Sequence, residues 1–176
     1  MRASFNLITV TALALLGGCT NYGSLGDDRI ASAELKFTNG LPAGTVQFFG
    51  DGDSVQLRGA LAGFEEGDKG FHLHQTGRCD APDFKSAGGH LNPGGNEHGT
   101  ENPAGAHLGD LPNAQINSQG VGTVSTTLRG KRADILAALF DQDGSAVVVH
   151  AGPDDYRSDP AGDAGSRVAC GVIKQR

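Results

Sequence analysis

Tryptophan is absent from the sequence, methionine occurs once, and aromatic residues make up only 6% of its 176 positions. A core drawn from such a chain has to be assembled from small side chains rather than large rings. Proline is scarce, at seven residues, and no Gly-X-Y period appears, which excludes a collagen-like rod and a proline-rich disordered chain. There is no basic block either. Lys and Arg number 14 against 20 Asp and Glu, a net charge of −6, so the chain has no positive footprint with which to bind nucleic acid. What is abundant is glycine: 28 residues, roughly twice ordinary usage. With short Val, Thr and Leu runs between the glycines, this composition points to β-strands joined by tight turns and long loops. The length suits one domain.

The N-terminus reads as an address. Arg2 supplies a positive start, and 7–16 is mostly apolar but too short to span a bilayer. Leu16-Gly17-Gly18-Cys19 then resembles a bacterial lipobox, in which the cysteine is acylated and becomes the first mature residue. On that reading 1–18 is a lipoprotein signal peptide, 19–30 a lipidated polar tether, and 31–176 the folded domain. Acyl chains, at about 0.8 kcal/mol per buried CH₂, would hold the domain at a membrane surface facing the periplasm. Lipidation of Cys19 leaves Cys79 and Cys170, in a compartment where disulfides persist. They are either two buried thiols or a bridge, which would close a loop of about 91 residues and contribute roughly 4–5 kcal/mol.

Strand character appears at 33–37, 45–49, 55–61, 121–128, 146–150 and 167–173. The helix-like spacing of Ile135, Leu136, Leu139 and Phe140 suggests one short turn. Between the third and fourth strands lies a Gly, Asn, Pro and His-rich stretch, about 77–113, with little strand character. Loops that long usually carry function. All six histidines fall in or beside it: His72, His74, His90, His98, His107 and His150. Neutral imidazole is the commonest metal ligand. His72 and His74, two apart, would leave a strand on one face while Phe71 and Leu73 enter the core. Two imidazoles side by side on a strand make half a square-planar copper site. His107-Leu108-Gly109-Asp110 adds a carboxylate three residues after an imidazole. With His90 and His98 it offers a three-His, one-Asp zinc site. Spacing alone fixes neither the distances nor the metals. A copper store or delivery protein, and more remotely a zinc hydrolase, could use the same residue types.

Gly70-Phe71-His72-Leu73-His74, Gly89-His90, His98-Gly99, His107-Leu108-Gly109-Asp110, Val147-Val148-Val149-His150 and Ala164-Gly165-Ser166-Arg167-Val168-Ala169-Cys170-Gly171 together resemble the copper/zinc superoxide dismutase family over roughly 31–174. The lipobox and Asp154-Asp155-Tyr156 are similar to its bacterial, periplasmic branch. The resemblance implies an all-β fold, an eight-stranded antiparallel Greek-key barrel (a flattened, Ig-like sandwich) with long metal-binding loops. It implies one copper and one zinc per subunit: His72, His74, His90 and His150 on copper, and His90, His98, His107 and Asp110 on zinc, with His90 as the bridge. It further implies a Cys79–Cys170 disulfide, Asp154 as a carboxylate bonded to one copper and one zinc histidine, and Arg167 as the anion-binding arginine. The activity implied is dismutation of superoxide to dioxygen and hydrogen peroxide by alternate reduction and oxidation of copper, protecting the cell envelope. His150 and Arg167 are only 17 residues apart, so the charged guidance loop of eukaryotic relatives is largely missing. The resemblance leaves monomer and homodimer both open.

Overall fold

The computed structural model describes residues 28–176; the signal peptide, Cys19 and most of the tether lie outside the described residues. Ten strands form one antiparallel sheet: β1 Arg29–Phe37, β2 Pro42–Asp51, β3 Ser54–Ala62, β4 Gly67–Lys69, β5 Phe71–His74, β6 Ala114–Ile116, β7 Val121–Thr127, β8 Ala146–His150, β9 Arg167–Val172 and β10 Lys174–Gln175. Their order is β4-β6-β7-β3-β2-β1-β9-β8-β5, with β10 also on β1. The two ends of that path, β4 and β5, are one chain segment interrupted only at Gly70. The sheet therefore closes on itself into a barrel. Because β9 and β10 are likewise split only at Ile173, the ten pieces are eight chain segments. From β3 the chain passes over the places taken by β6 and β7 to reach β4 and β5. From β7 it jumps again to β8, and these two crossovers are the Greek key.

Alternation fills the interior. Ala31, Ala33 and Leu35 of β1, Val46 and Phe48 of β2, and Val55, Leu57 and Leu61 of β3 all join one buried cluster, as expected of strands with one wet face. The segments that carry histidines break this rule. Every residue of β5 and of β8 is buried. Phe71, Leu73, Val147 and Val149 face the main core, each worth roughly 1.5–3 kcal/mol of burial. Ala146 and Val148, with Cys170 of the neighbouring β9, pack outward under Phe84 and Ala87 of the covering layer. The long loop thus lies over the outside of the barrel, and the outward-facing histidines are sealed between strand and loop.

The loop has a single regular piece, a 3-10 turn at Lys85–Ala87. The helix-like spacing after Lys131 becomes a longer element than one turn: α1, Arg132–Leu139, which buries Ile135 and Leu139 one turn apart. β1 also starts earlier than its apolar pattern, because Arg29 pairs with Phe49 and Ala31 with both Phe48 and Gln175. Arg29 and Ile30 are therefore strand residues. No helix among the described residues is long and apolar enough to cross a membrane.

Candidate metal centre

β5 presents His72 and His74, β8 ends on His150, and the loop brings down His90. Each offers a ligand atom, all within 4.8 Å of one another and all buried. One nitrogen of each ring is already oriented. His72 Nε2 lies 2.7 Å from Asp154 Oδ2, His74 Nδ1 3.0 Å from the Gly88 carbonyl, and His150 Nδ1 3.1 Å from the Gly165 carbonyl. His90 Nδ1 lies 2.9 Å from Asp110 Oδ1. A carbonyl only accepts, so in His74 and His150 that nitrogen carries the proton and Nε2 keeps a lone pair. The four remaining nitrogens, His72 Nδ1 and Nε2 of His74, His90 and His150, are buried with no hydrogen-bond partner. Buried, unpaired polar atoms are costly. Four of them converging is the donor set of a metal ion.

A second group, His90, His98, His107 and Asp110, is equally close and buried. Here the Nδ1 atoms of the three histidines lie 2.9, 3.0 and 3.1 Å from one oxygen, Asp110 Oδ1. The other oxygen accepts N–H bonds from Gly99 and His107, both at 2.9 Å, which fixes the carboxylate. Three imidazoles crowding one oxygen is poor hydrogen bonding but close to the roughly 3.3 Å edge of a tetrahedral zinc site. His90 belongs to both groups through its two nitrogens. Asp154 joins them a second time, with Oδ1 lying 3.0 Å from His98 Nε2.

Burial drives the protonation states. It pushes His72 down to about 3 despite its Asp154 partner and His150 down to about 4, and it lowers His74 and His90 as well. At neutral pH all four are uncharged, as metal binding requires. Burial alone would raise Asp110 and Asp154. Hydrogen bonds from His90, Gly99 and His107 to the first, and from His72, His98 and Tyr156 to the second, outweigh it and hold both carboxyls low. A folded state that keeps histidines neutral below their usual 6.5 loses stability when protons become available to the unfolded chain. The metal-free protein is therefore expected to melt at a constant temperature above pH 7. Its midpoint should then fall steadily from pH 6.5 towards pH 4, and a flat profile in a thermal melt series would contradict the buried neutral imidazoles.

Arg167 starts β9, beside His150 in the sheet register. Its guanidinium donates to the carbonyls of Phe84 at 2.8 Å and Gly88 at 2.7 Å. Both carbonyls belong to residues with positive φ, 54° and 74°, at the two ends of the 3-10 turn. Gly88 also receives His74, so one carbonyl orients a ligand and the arginine together. The Cys79–Cys170 disulfide ties this loop to β9, three residues from Arg167. Gly70 explains the glycine before Phe71: a Cβ there would stand 2.7 Å from Ala164 Cβ and 3.2 Å from the His72 ring.

All the residues named from sequence in the described chain come together here. Others had no sequence signal. Asn113 and Asp154 exchange two backbone–side chain bonds at 2.9 Å although 41 residues apart, and Asn113 N–H donates to the Tyr156 hydroxyl. Only adjacency in the fold reveals such partners.

A closed antiparallel barrel carrying two buried imidazole clusters joined through one shared histidine defines a protein built for two metal ions. The sequence model of copper/zinc superoxide dismutase matches residues 42–173, and the chain belongs to that family. Its reaction is the dismutation of superoxide, an oxidoreduction, and its metals are copper and zinc. The copper-zinc superoxide dismutase 2 of Aquifex aeolicus is 40% identical over 158 residues, 86% of this chain and 90% of that protein. Superoxide dismutase 1 of the same bacterium is 50% identical over 110 residues, 59% of this chain and 63% of that protein. The crystal structure of a superoxide dismutase-like protein from Bacillus subtilis matches with a TM-score of 0.74 at 34% identity, over 80% of this chain and 96% of that one.

Proposed function

We propose that this chain holds one copper among His72, His74, His90 and His150 and one zinc among His90, His98, His107 and Asp110, and that Arg167 receives the superoxide anion. The reading rests on one observation above all: four buried imidazole nitrogens without partners face one another beside a half-buried guanidinium. Copper, when bound, supplies the one-electron couple, and zinc a fixed positive charge that needs no redox change. The protein's own residues do the rest. His90 Nε2 takes up and gives back a proton between the two half-reactions. Asp154 keeps His72 and His98 in fixed tautomers and orientations, the usual task of such a partner. Arg167 offers charge-assisted N–H bonds to a small anion. Overall, two superoxide anions and two protons give dioxygen and hydrogen peroxide.

In the cell the enzyme works as a lipoprotein. Cleavage before Cys19 and acylation of its thiol and amine anchor it to a membrane of the bacterial envelope, where it faces the periplasm and protects the envelope from superoxide. The lipobox-like run before Cys19 and the disulfide, which suits an oxidising compartment, support this.

The direct test is superoxide decay catalysed by the purified domain with both metals counted. Copper-dependent decay at one copper and one zinc per chain is expected. Full loading without decay would instead make this a binding protein. For the anchor, mass spectrometry of the mature N-terminus should find an acylated Cys19, and Cys19→Ser should move the protein to the soluble fraction. An unmodified N-terminus elsewhere would remove the anchor.

A further inference from the structure

The turn that supplies two members of the zinc-side cluster is held from outside by an arginine that belongs to neither cluster. Arg129 stands two residues past β7, and a single Nη2 donates to the carbonyl of His107 and, at 2.9 Å, to the carbonyl of Asp110. Within the turn, His107 N–H donates to Asp110 Oδ2. The turn is also pinned towards the barrel, because the Gly109 carbonyl accepts from Leu73 N–H and Gly109 N–H donates to Leu91. The side chains of His107 and Asp110 thus point to the cluster, while their carbonyls point to Arg129.

We propose that Arg129 is a positioning residue for zinc, fixing the main chain of His107 and Asp110 so that their ligand atoms stand ready in the protein before the ion arrives. The proposal rests on the assignment of His90, His98, His107 and Asp110 to zinc. The physical reason is that the ligand atoms sit only a few bonds from the peptide units that Arg129 grips. A rotation of either unit moves Nδ1 of His107 or Oδ1 of Asp110 off the point where all four converge. Arg129 lines a cavity of about 270 Å³, with Asp110, Tyr156 and Thr100, and another of about 390 Å³, with Ala106 and Asp134. Without the guanidinium the turn borders open space. The two N–H groups of one Nη2 are held in fixed directions by the planar guanidinium, which the freely rotating ammonium of a lysine reproduces only in part.

The test is zinc release from the fully loaded protein into a chromogenic chelator, with copper counted before and after. Residues that orient ligands typically change metal affinity by about 10–100-fold. Arg129→Ala is expected to release zinc about 10–100 times faster than the wild type, with copper retained and with the unfolding midpoint falling further in the metal-loaded protein than in the metal-free one. Arg129→Lys should fall between the two, and it serves as the reading if the alanine variant does not fold. Wild-type release rates in both variants would overturn the proposal. So would an equal drop in midpoint with and without metals, which marks a merely structural contact. Asp110→Ala, measured alongside, separates the two layers. If it too keeps zinc normally, the zinc assignment fails; if it loses zinc while Arg129→Ala does not, only the role of Arg129 fails.

Discussion

Replacing Asp110 with alanine should weaken zinc binding at least a hundredfold and leave copper in place. Structural zinc in small domains is bound with roughly 10–16 kcal/mol, about 3 kcal/mol for each of four ligands, and about 1.4 kcal/mol is a factor of ten. The loss here exceeds that of one average ligand for a geometric reason. Asp110 Oδ1 is the atom on which the Nδ1 atoms of His90, His98 and His107 converge, and its other oxygen holds the N–H groups of Gly99 and His107. Without the carboxylate, the site loses one of its four ligands and the charge that goes with it, and two loop N–H groups lose their acceptor. Copper is retained because the orienting bonds of His72, His74 and His150 come from Asp154, Gly88 and Gly165. Competition against a chelator of known zinc affinity, with both metals counted, measures the effect. Zinc affinity equal to the wild type would remove Asp110 from the ligand set.

The parts of this architecture legible in the sequence are those with a local period. Phe71-His72-Leu73-His74 alternates, and the fold places Phe71 and Leu73 in the core and both histidines on the outer face. The apolar run before His150 reads as a strand because β8 is covered on both sides. The glycine- and histidine-rich stretch reads as a loop, and it is one. What could not be read has no period to carry it. β6 is three residues long, too short for alternation to register, and exists because Gln115 and Ile116 pair with β7. The start of β1 is set by partners in β2 and β10, far away along the chain. The same holds at the centre: Arg129, Asn113 and Phe84 act through backbone carbonyls, N–H groups or a left-handed φ, and such roles leave almost no mark on residue type. Asp154 was legible only through family resemblance; its bonds to His72 and His98 span 82 and 56 residues.

Arg167→Ala is expected to lower kcat/KM for superoxide by roughly 10–100-fold, the loss of one hydrogen bond to a charged group at about 1.5–3 kcal/mol. Copper content should not change, since no ligand nitrogen is bonded to the guanidinium. The site is nonetheless within its field: Arg167 is among the groups that disfavour protonation of His74 and His150. That matters because the chain as a whole carries −6 and repels an anion at long range. With the guidance loop short, a local positive focus beside the copper ligands has to do the gathering. The carbonyls of Phe84 and Gly88 hold the guanidinium in place without neutralising it, as a carboxylate would. Arg167→Lys therefore separates charge from geometry. It keeps the cation but not the fork that reaches both carbonyls, so it should recover part of the rate and part of the affinity for azide, an anionic probe. Pulse radiolysis at matched copper content is the measurement. An alanine variant with full turnover would mean that the positive focus arises elsewhere on the barrel. A lysine variant no better than alanine would mean that orientation of the bound anion, more than its attraction, is what Arg167 provides.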